Sequence, residues 1–393
     1  MKVLLTHRFF WPDTAPYALM LWAIGDALAE AGHEVNVLSS VPSYRSGAGH
    51  AATPPHERIG ALEVKRVFVF GDEKRNPLRR IANVVLYCWA LFTNVLRLRP
   101  DVVTASTFPP VLAAWSASLA ARMVGAKFVY HMQDIHPEVS FYSGGRLGRG
   151  LPAWILRWLD NQTLRRADAI VTLSADMAET LRARGLTNLP IHIINNPPLE
   201  ADEAIPPPAE LQKPDGTVRV IFAGNLGRFQ NLPLLAEGVA LCFDDHPELE
   251  LMFLGDGVAL PELKARWGGH PQVRFAPFLP FAQARDLIAT ADIGLVSLQS
   301  GMHRVASPSK VQTYAALGLP MVALVDPGSK LAADIESKGL GCVARSATAK
   351  GVRDAVKKLL DAGVQPTAHC NSPDATSEYS SFAAIIRNLE MMA

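Results

Sequence analysis

Lys310 and the residues around it carry the clearest chemistry in this chain. They lie in Ser307-Pro-Ser-Lys-Val-Gln-Thr-Tyr-Ala-Ala-Leu-Gly-Leu-Pro320. Ser307 suits a helix N-cap and Pro308 the first helical position, where its missing N–H costs nothing. Gly318 fits the left-handed position past the helix end, and Pro320 forbids continuation. Ser309 and Lys310 then fall in the first turn, where unpaired N–H groups and the helix dipole favour negative charge. A hydroxyl, free N–H groups and an ammonium converging there would hold a phosphate or diphosphate. A plain capped helix with a solvated lysine also fits these residues taken alone.

Two further loops of the same half bear on that choice. Val220 to Ala223 runs into Gly224-Asn-Leu-Gly227-Arg228-Phe-Gln230, where glycines admit a close ligand and Asn225 and Gln230 offer hydrogen bonds. Leu251 to Leu254 runs into Gly255-Asp256-Gly257, another tight turn. Three strand-end loops in one half thus suit a nucleoside diphosphate.

In the first half, Phe128 to His131 leads into Met-Gln133-Asp134-Ile-His136-Pro-Glu138. These groups could position a substrate, and Asp134 and Glu138 could instead cap local structure. A metal site fits poorly, because the spacing of His131, Asp134 and His136 follows neither a helix nor a strand face. The loop His7-Arg8-Phe9-Phe10-Trp11-Pro-Asp13 mixes rings and charge, suiting a sugar face or a lipid-linked acceptor, or packing beneath the loop.

Elements that would position these groups alternate along the chain. Strands are expected at Lys2 to Thr6, Glu34 to Ser39, Leu62 to Val69, Asp101 to Ala105, Lys127 to His131, Ala169 to Leu173 and Ile191 to Ile194. After a proline-rich hinge at 196–215 they resume at Val218 to Ala223, Glu250 to Leu254, Val273 to Ala276, Ile293 to Leu298 and Met321 to Leu324. Helices between them imply parallel βαβ units in two doubly wound α/β domains, 1–195 and 216–372. A terminal amphipathic helix falls within 373–393. Ligands of such sheets bind beyond the carboxyl ends of the strands, here in a cleft between domains.

Composition narrows the function further. A length of 393 residues suits two full cores, and 49% hydrophobic with 19% charged residues describes a globular chain. A net charge of +1 gives no general attraction to nucleic acid. Four dispersed cysteines argue against a disulfide framework and suit a cytoplasm. Ile81 to Leu96 is apolar, with Arg75, Arg79, Arg80, Arg97 and Arg99 beside it. It is shorter than a spanning helix and fits either a membrane-interface helix, giving a contact through 75–99, or a buried core helix of an α/β domain. The first βα turn lacks the dinucleotide fingerprint, and no P-loop, nucleophile elbow or HExxH occurs.

In order and spacing, the opening strand with its aromatic loop, Ala31-Gly-His-Glu-Val-Asn-Val37, Gln133-Asp-Ile-His-Pro-Glu138, Ala223-Gly-Asn-Leu-Gly-Arg-Phe-Gln230, Phe253-Leu-Gly-Asp-Gly257 and Pro308-Ser-Lys310 through Gly318-Leu-Pro320 form a set. With them the chain resembles GT-B glycosyltransferases of family 4, in particular the bacterial fucosaminyltransferase and colanic-acid-type branch. The resemblance implies two facing Rossmann-like domains, with a nucleotide diphosphate sugar, UDP-linked by expectation, on the second. The terminal helix returns to the first domain, which takes a glycan or polyprenyl-diphosphate-linked acceptor. It implies a retaining transferase of surface polysaccharide biosynthesis, on the inner face of the plasma membrane. No Asp-x-Asp occurs, in keeping with metal-independent transfer and no cofactor.

On this reading Lys310, Ser309, His131 and Asp134 are catalytic. Gly224, Asn225, Gly227, Arg228, Gln230, Gly255, Asp256, Phe278, Leu279, Arg304, Pro308 and Thr313 hold the donor. Arg8, Phe10, Trp11, Gln133, His136 and Glu138 hold the acceptor. Val305 and Thr313 stand where many relatives carry two glutamates, and Asn225 and Gln230 replace a diphosphate-binding Arg and Lys. A same-fold nucleotide-sugar epimerase and a non-catalytic GT-B subunit are the competing readings.

Overall fold

The computed structural model describes residues 1–393 except 14, 43–52, 72–75, 143, 146–147, 187, 197–203, 228, 368–374 and 392–393. The chain forms two compact units, Met1–Asn196 with Pro373–Ala393, and Pro197–Ser372.

The first unit contains β1 (Lys2–Thr6), α1 (Pro16–Glu30), β2 (Glu34–Ser40), β3 (His56–Ile59), β4 (Leu62–Val67), α2 (Pro77–Leu98), β5 (Val102–Ser106) and α3 (Leu112–Val124). It continues with β6 (Lys127–Met132), α4 (Glu138–Tyr142), α5 (Gly150–Arg166), β7 (Ala169–Thr172), α6 (Ala175–Arg182) and β8 (Ile191–Ile193). Its sheet runs β3-β4-β2-β1-β5-β6-β7-β8, parallel throughout save for the antiparallel edge strand β3.

β1 and β5 are buried along nearly their whole length, the pattern of parallel strands covered on both faces. Alternate residues serve different cores. Val3, Leu5, Val35, Val37, Val102 and Val129 pack with Leu21, Ile24 and Leu28 of α1. The other face is covered by α2, α3 and α5, which pack side by side in that order.

The second unit follows the same plan. It contains β9 (Val218–Ala223), α7 (Leu232–Ala240), β10 (Leu249–Leu254), α8 (Leu260–Trp267), β11 (Val273–Ala276), α9 (Phe281–Ala289) and β12 (Ile293–Ser297). Then come α10 (Lys310–Ala316), β13 (Met321–Leu324), α11 (Lys330–Ser337), β14 (Gly341–Val343) and α12 (Ala349–Asp361). The parallel sheet order is β11-β10-β9-β12-β13-β14. Along β9, Val220 and Phe222 face α7 and α12, whereas Ile221 and Ala223 face α9, α10 and α11.

α13 (Ala375–Met391) belongs to the first unit. Its Phe382, Ile385, Ile386 and Leu389 complete the core over α1. Removing that much apolar surface from water stabilises the return by roughly 2 kcal/mol per side chain before entropy is counted.

α2 departs from expectation. It has 22 residues, starting at Pro77, because Asn76 Oδ1 accepts the Leu78 and Arg79 N–H groups as an N-cap. It is long and apolar enough to cross a membrane by composition. It nevertheless buries a seam of Asn83, Tyr87, Leu91 and Val95, and Asn83 bonds both backbone groups of Phe70. It is a layer helix of the α/β unit.

Candidate functional site

In each unit the strand order reverses beside its first strand, between β1 and β5 and between β9 and β12. Such switch points open crevices at the carboxyl ends of the strands. The polar residues singled out from the sequence gather at both places.

In the second unit, β9 and β12 pair only through Val220 with Ile293 and Ile221 with Gly294. Past that point Tyr314 of α10 takes over. Its hydroxyl accepts the Ala223 N–H at 3.1 Å and donates to the Ile221 carbonyl at 3.5 Å. Gly294 makes room for the ring, since a Cβ there would lie 2.5 Å from it. α10 itself ends in a Schellman turn: Gly318 N–H bonds Ala315 O and Leu319 N–H bonds Tyr314 O, with Gly318 at φ +66°. Its start differs from expectation. α10 opens at Lys310 with Ser309 as the preceding cap residue, so Ser307 and Pro308 lie before the helix, and no side chain caps it.

This anchoring sets Lys310 at the end of β9. Its Nζ lies 4.5 Å from the centre of the Phe222 ring. Its Cε and Nζ lie 3.5 and 3.6 Å from where a side chain at Gly224 would begin. Among the described residues no carboxylate or hydrogen-bond acceptor meets this ammonium, and burial alone lowers its pKa from 10.5 to about 8. A desolvated cation without a counter-ion is costly unless an anion completes it. Lys310 therefore faces an anion-sized demand.

The glycines divide by role. Gly224 (φ +111°) is open toward Lys310. Gly255 and Gly257 instead serve the packing of two loops on each other. A Cβ at Gly255 would strike Gly224 O at 2.1 Å, and one at Gly257 would strike Leu226 O at 2.3 Å. Backbone bonds from Gly224 N to Leu254 O and from Leu226 N to Asp256 O stitch these loops together. Gln230 Oε1 accepts the Gly227 N–H, with the Asn225 amide against Gly227, so Gln230 orders the loop rather than standing free. Gln299 N–H bonds Phe229 O, tying this loop to the one after β12. Asp256 caps Gly257 N–H and is exposed, as is Arg304. Thr313 bonds back to Ser309 O. Phe278 is exposed, and the Leu279 side chain belongs to the core. Val305 is fully buried, which explains why an apolar residue stands there. Arg228 lies outside the described residues.

In the first unit the centre of the cluster is His131, at the end of β6. Its Nδ1 is 3.0 Å from Tyr17 Oη, and its Nε2 is 3.0 Å from Gln133 Nε2. Gln133 Oε1 in turn accepts from Asn196 Nδ2 at 2.7 Å. The amide donates to Nε2, so Nδ1 carries the proton toward Tyr17. Burial, aided by neighbouring His7, lowers the pKa to about 3 and keeps the ring neutral. Phe382 of α13 packs against the same ring.

Asp134, next along, has a carboxylate that makes no hydrogen bond or ion pair with the described residues, and burial raises its pKa to about 6. Nearby, the Arg8 guanidinium lies 5.6 and 5.7 Å from the Phe9 and Phe108 rings. His7, its pKa lowered to about 4 chiefly by burial, contacts Tyr17 edge-on.

Three expected acceptor residues are placed otherwise. Phe10 is 0% exposed and belongs to the core over α1. Glu138 is held by Arg184 Nε and Nη2 at 3.1 and 2.7 Å. Arg184 also pairs with Asp160, which accepts the Tyr130 hydroxyl, forming a buried network that fixes the turn before α4. His136 lends its carbonyl to that arginine, and burial lowers its own pKa to about 4. Trp11 remains exposed beside Trp22. His131, Asp134 and His136 form no metal-holding group among the described residues. The sequence reading missed Tyr17, Asn196 and Tyr314, whose partners are distant in sequence.

Two parallel-sheet units with polar groups at their strand ends define the GT-B architecture. Residues 17–197 match the family described as Glycosyl transferase 4-like domain. The chain is 26% identical over 251 residues to a probable glycosyltransferase, WbjE, of Pseudomonas aeruginosa, a match spanning 62% of each chain. WaaG, a glycosyltransferase involved in lipopolysaccharide biosynthesis, aligns with a TM-score of 0.69 at 15% identity, covering 98% of this chain and 99% of that one. HepE of Anabaena, solved in complex with UDP, gives 0.62 at 15% identity over 100% and 99% of the two chains. The structural likenesses establish the fold, and the chain spans 62% of the length of the curated relative it matches.

Proposed function

We propose that this protein is a retaining glycosyltransferase. It would transfer a sugar from a nucleoside diphosphate donor, with UDP the first candidate, to a lipid-linked glycan in surface polysaccharide biosynthesis. The observation that carries this reading is Lys310: a half-buried ammonium that meets no counter-ion among the described residues, beside an open glycine at a strand-end switch point. The UDP bound by HepE and the pathway of WaaG favour the donor class and the setting.

Transfer breaks the bond between the anomeric carbon and the diphosphate and forms one to an acceptor hydroxyl oxygen on the same face, the hydroxyl proton passing to the departing diphosphate. The transition state gathers negative charge on the leaving diphosphate. Preorganised charge in a desolvated site stabilises that state more than the ground state. Lys310 takes this role, with Ser309 and the Gly224 loop as hydrogen-bonding partners, and no metal ion or cofactor is assigned. In the first unit, neutral His131, held by Tyr17 and Gln133, and Asp134 orient a sugar hydroxyl.

Asp134→Asn separates binding from chemistry. In a panel of nucleotide sugars, the donor that raises the melting temperature of the wild type should raise that of the variant equally. Turnover of that donor to free nucleoside diphosphate, with or without acceptor, should fall about a hundredfold, in the range of lost general acid–base or positioning groups. Conversion of the donor to its epimer without release of nucleotide would contradict transfer.

A further inference from the structure

The crevice at Lys310 does not stop at β9. Ser297 ends β12, and continuing the register of Val220 with Ile293 sets it opposite Gly224. Its hydroxyl is buried and has no hydrogen-bond partner among the described residues. Ser297 in turn pairs with Leu324 at the end of β13. The ends of β9, β12 and β13 thus form one rim, with β13 two strand spacings, about 10 Å, from β9. That is the reach of a diphosphate held at Lys310 with a sugar ring beyond it.

The far end of that rim carries an imidazole and a carboxylate. The loop after β12 closes in a 3₁₀ turn, Met302–Arg304. Residues three apart eclipse in such a turn, and Met302 and Val305 form its buried edge, so His303 and Arg304 lie off that edge. His303 Nδ1 lies 2.8 Å from Oδ2 of Asp326, just past β13, and its side chain keeps 12% exposure. The loop holds its shape without the imidazole. Asp326 Oδ1 accepts the Ser300 hydroxyl at 2.7 Å and Oδ2 the Gly301 N–H at 2.6 Å, while Gln299 N–H bonds Phe229 O. Burial works to raise the Asp326 pKa, but these two bonds and His303 outweigh it and hold the carboxyl below its usual range. An ionised carboxylate draws the imidazole proton to Nδ1 and leaves the Nε2 lone pair for an incoming hydrogen.

We propose that His303, oriented by Asp326, binds the sugar of the donor, its Nε2 accepting a hydrogen from a ring hydroxyl or amide. The inference rests on the transferase reading above and adds the group by which the site tells a nucleotide sugar from the bare nucleotide. It also sets a substrate class. The sugar carries a hydrogen-bond donor at the ring position facing His303 rather than a deoxy carbon, because a desolvated acceptor left without its hydrogen costs affinity.

Calorimetry on the full chain separates the sugar from the nucleotide. The tightest binder among UDP, GDP, ADP and dTDP is titrated, followed by its glucose, galactose, mannose and N-acetylglucosamine conjugates. His303→Ala should weaken the best conjugate about tenfold, the scale of one lost hydrogen bond, and leave the bare nucleotide and the melting temperature unchanged. His303→Gln, which keeps an acceptor, should recover part of that loss. The inference fails if His303→Ala binds the conjugate as the wild type does. It fails too if nucleotide and conjugate weaken together, which would make His303 a brace of the loop, or if the wild type binds the nucleotide and none of the conjugates. A wild type that binds no nucleotide at all would instead overturn the transferase reading, and this inference with it.

Discussion

Lys310 carries an electrostatic burden that no described side chain relieves, and the burden makes its own pH signature. Its pKa, lowered to about 8 by burial, means that the free protein loses this proton above that pH. A diphosphate bound there favours the protonated form, so binding above pH 8 is coupled to proton uptake. Nucleotide affinity should then be flat from about pH 6.5 to 7.5 and fall about tenfold per unit beyond 8. The stability term has the opposite sense. Between about 8 and 10.5 the unfolded chain binds a proton that the folded chain does not, so this group's contribution to stability rises with pH there. Asp134, raised to about 6, sets the other limb. The profile of kcat/KM should be a bell with limbs near 6 and 8, and Asp134→Asn should remove the acid limb alone; a profile without a limb near 8 would remove Lys310 from the donor site. Lys310 was legible in the sequence because Pro308-Ser-Lys310 sits between a strand and a helix stop. The role of Gly255 and Gly257 was not. A glycine that admits a ligand and one that admits another loop look alike until the neighbouring backbone is in place.

At the scale of elements, the site depends on how α10 is hung on the sheet. Tyr314 bridges to β9 where the β9–β12 ladder stops, 91 residues away in sequence, and Gly294 leaves the space its ring fills. Tyr314→Phe removes the acceptor of the Ala223 N–H and should cost about 1–3 kcal/mol of stability. Gly294→Ala overpacks the ring and should cost a similar amount, about 1–3 kcal/mol. Both variants should weaken nucleotide binding more than Thr313→Ala does, because they move Lys310 while Thr313 only bonds back to the preceding turn. Chemical denaturation and nucleotide titration of the three variants check this. Most strands could be read as apolar runs between helices, but β3 and β14 could not. β3, His-Glu-Arg-Ile, is a polar antiparallel edge strand, and β14 is three residues long, too short for a pattern to show. α2 starts earlier than its apolar run because Leu78-Arg79-Arg80 interrupts the pattern while Asn76 caps the backbone. The Tyr17–His131 contact, 114 residues apart, had no local signal at all.

For the whole molecule, near-neutral composition conceals separate regions of unlike charge. One is the arginine-rich layer of the first unit; another is the Lys310 ammonium of the second, which meets no carboxylate among the described residues. Buried charge also serves structure alone. Arg219 lies fully buried against Glu250, bonding the Leu211 carbonyl, at the strand ends remote from Gly224. What distinguishes Lys310 from such groups is that no described residue pairs with it, and that distinction tests the account most directly. UDP, GDP, ADP and dTDP are titrated calorimetrically into the intact protein, and the tightest is repeated with Lys310→Ala. The account predicts saturable binding that weakens at least tenfold in the variant, about 1.4 kcal/mol or more, with the melting temperature of the free protein unchanged or raised. Equal affinity for wild type and variant would contradict it.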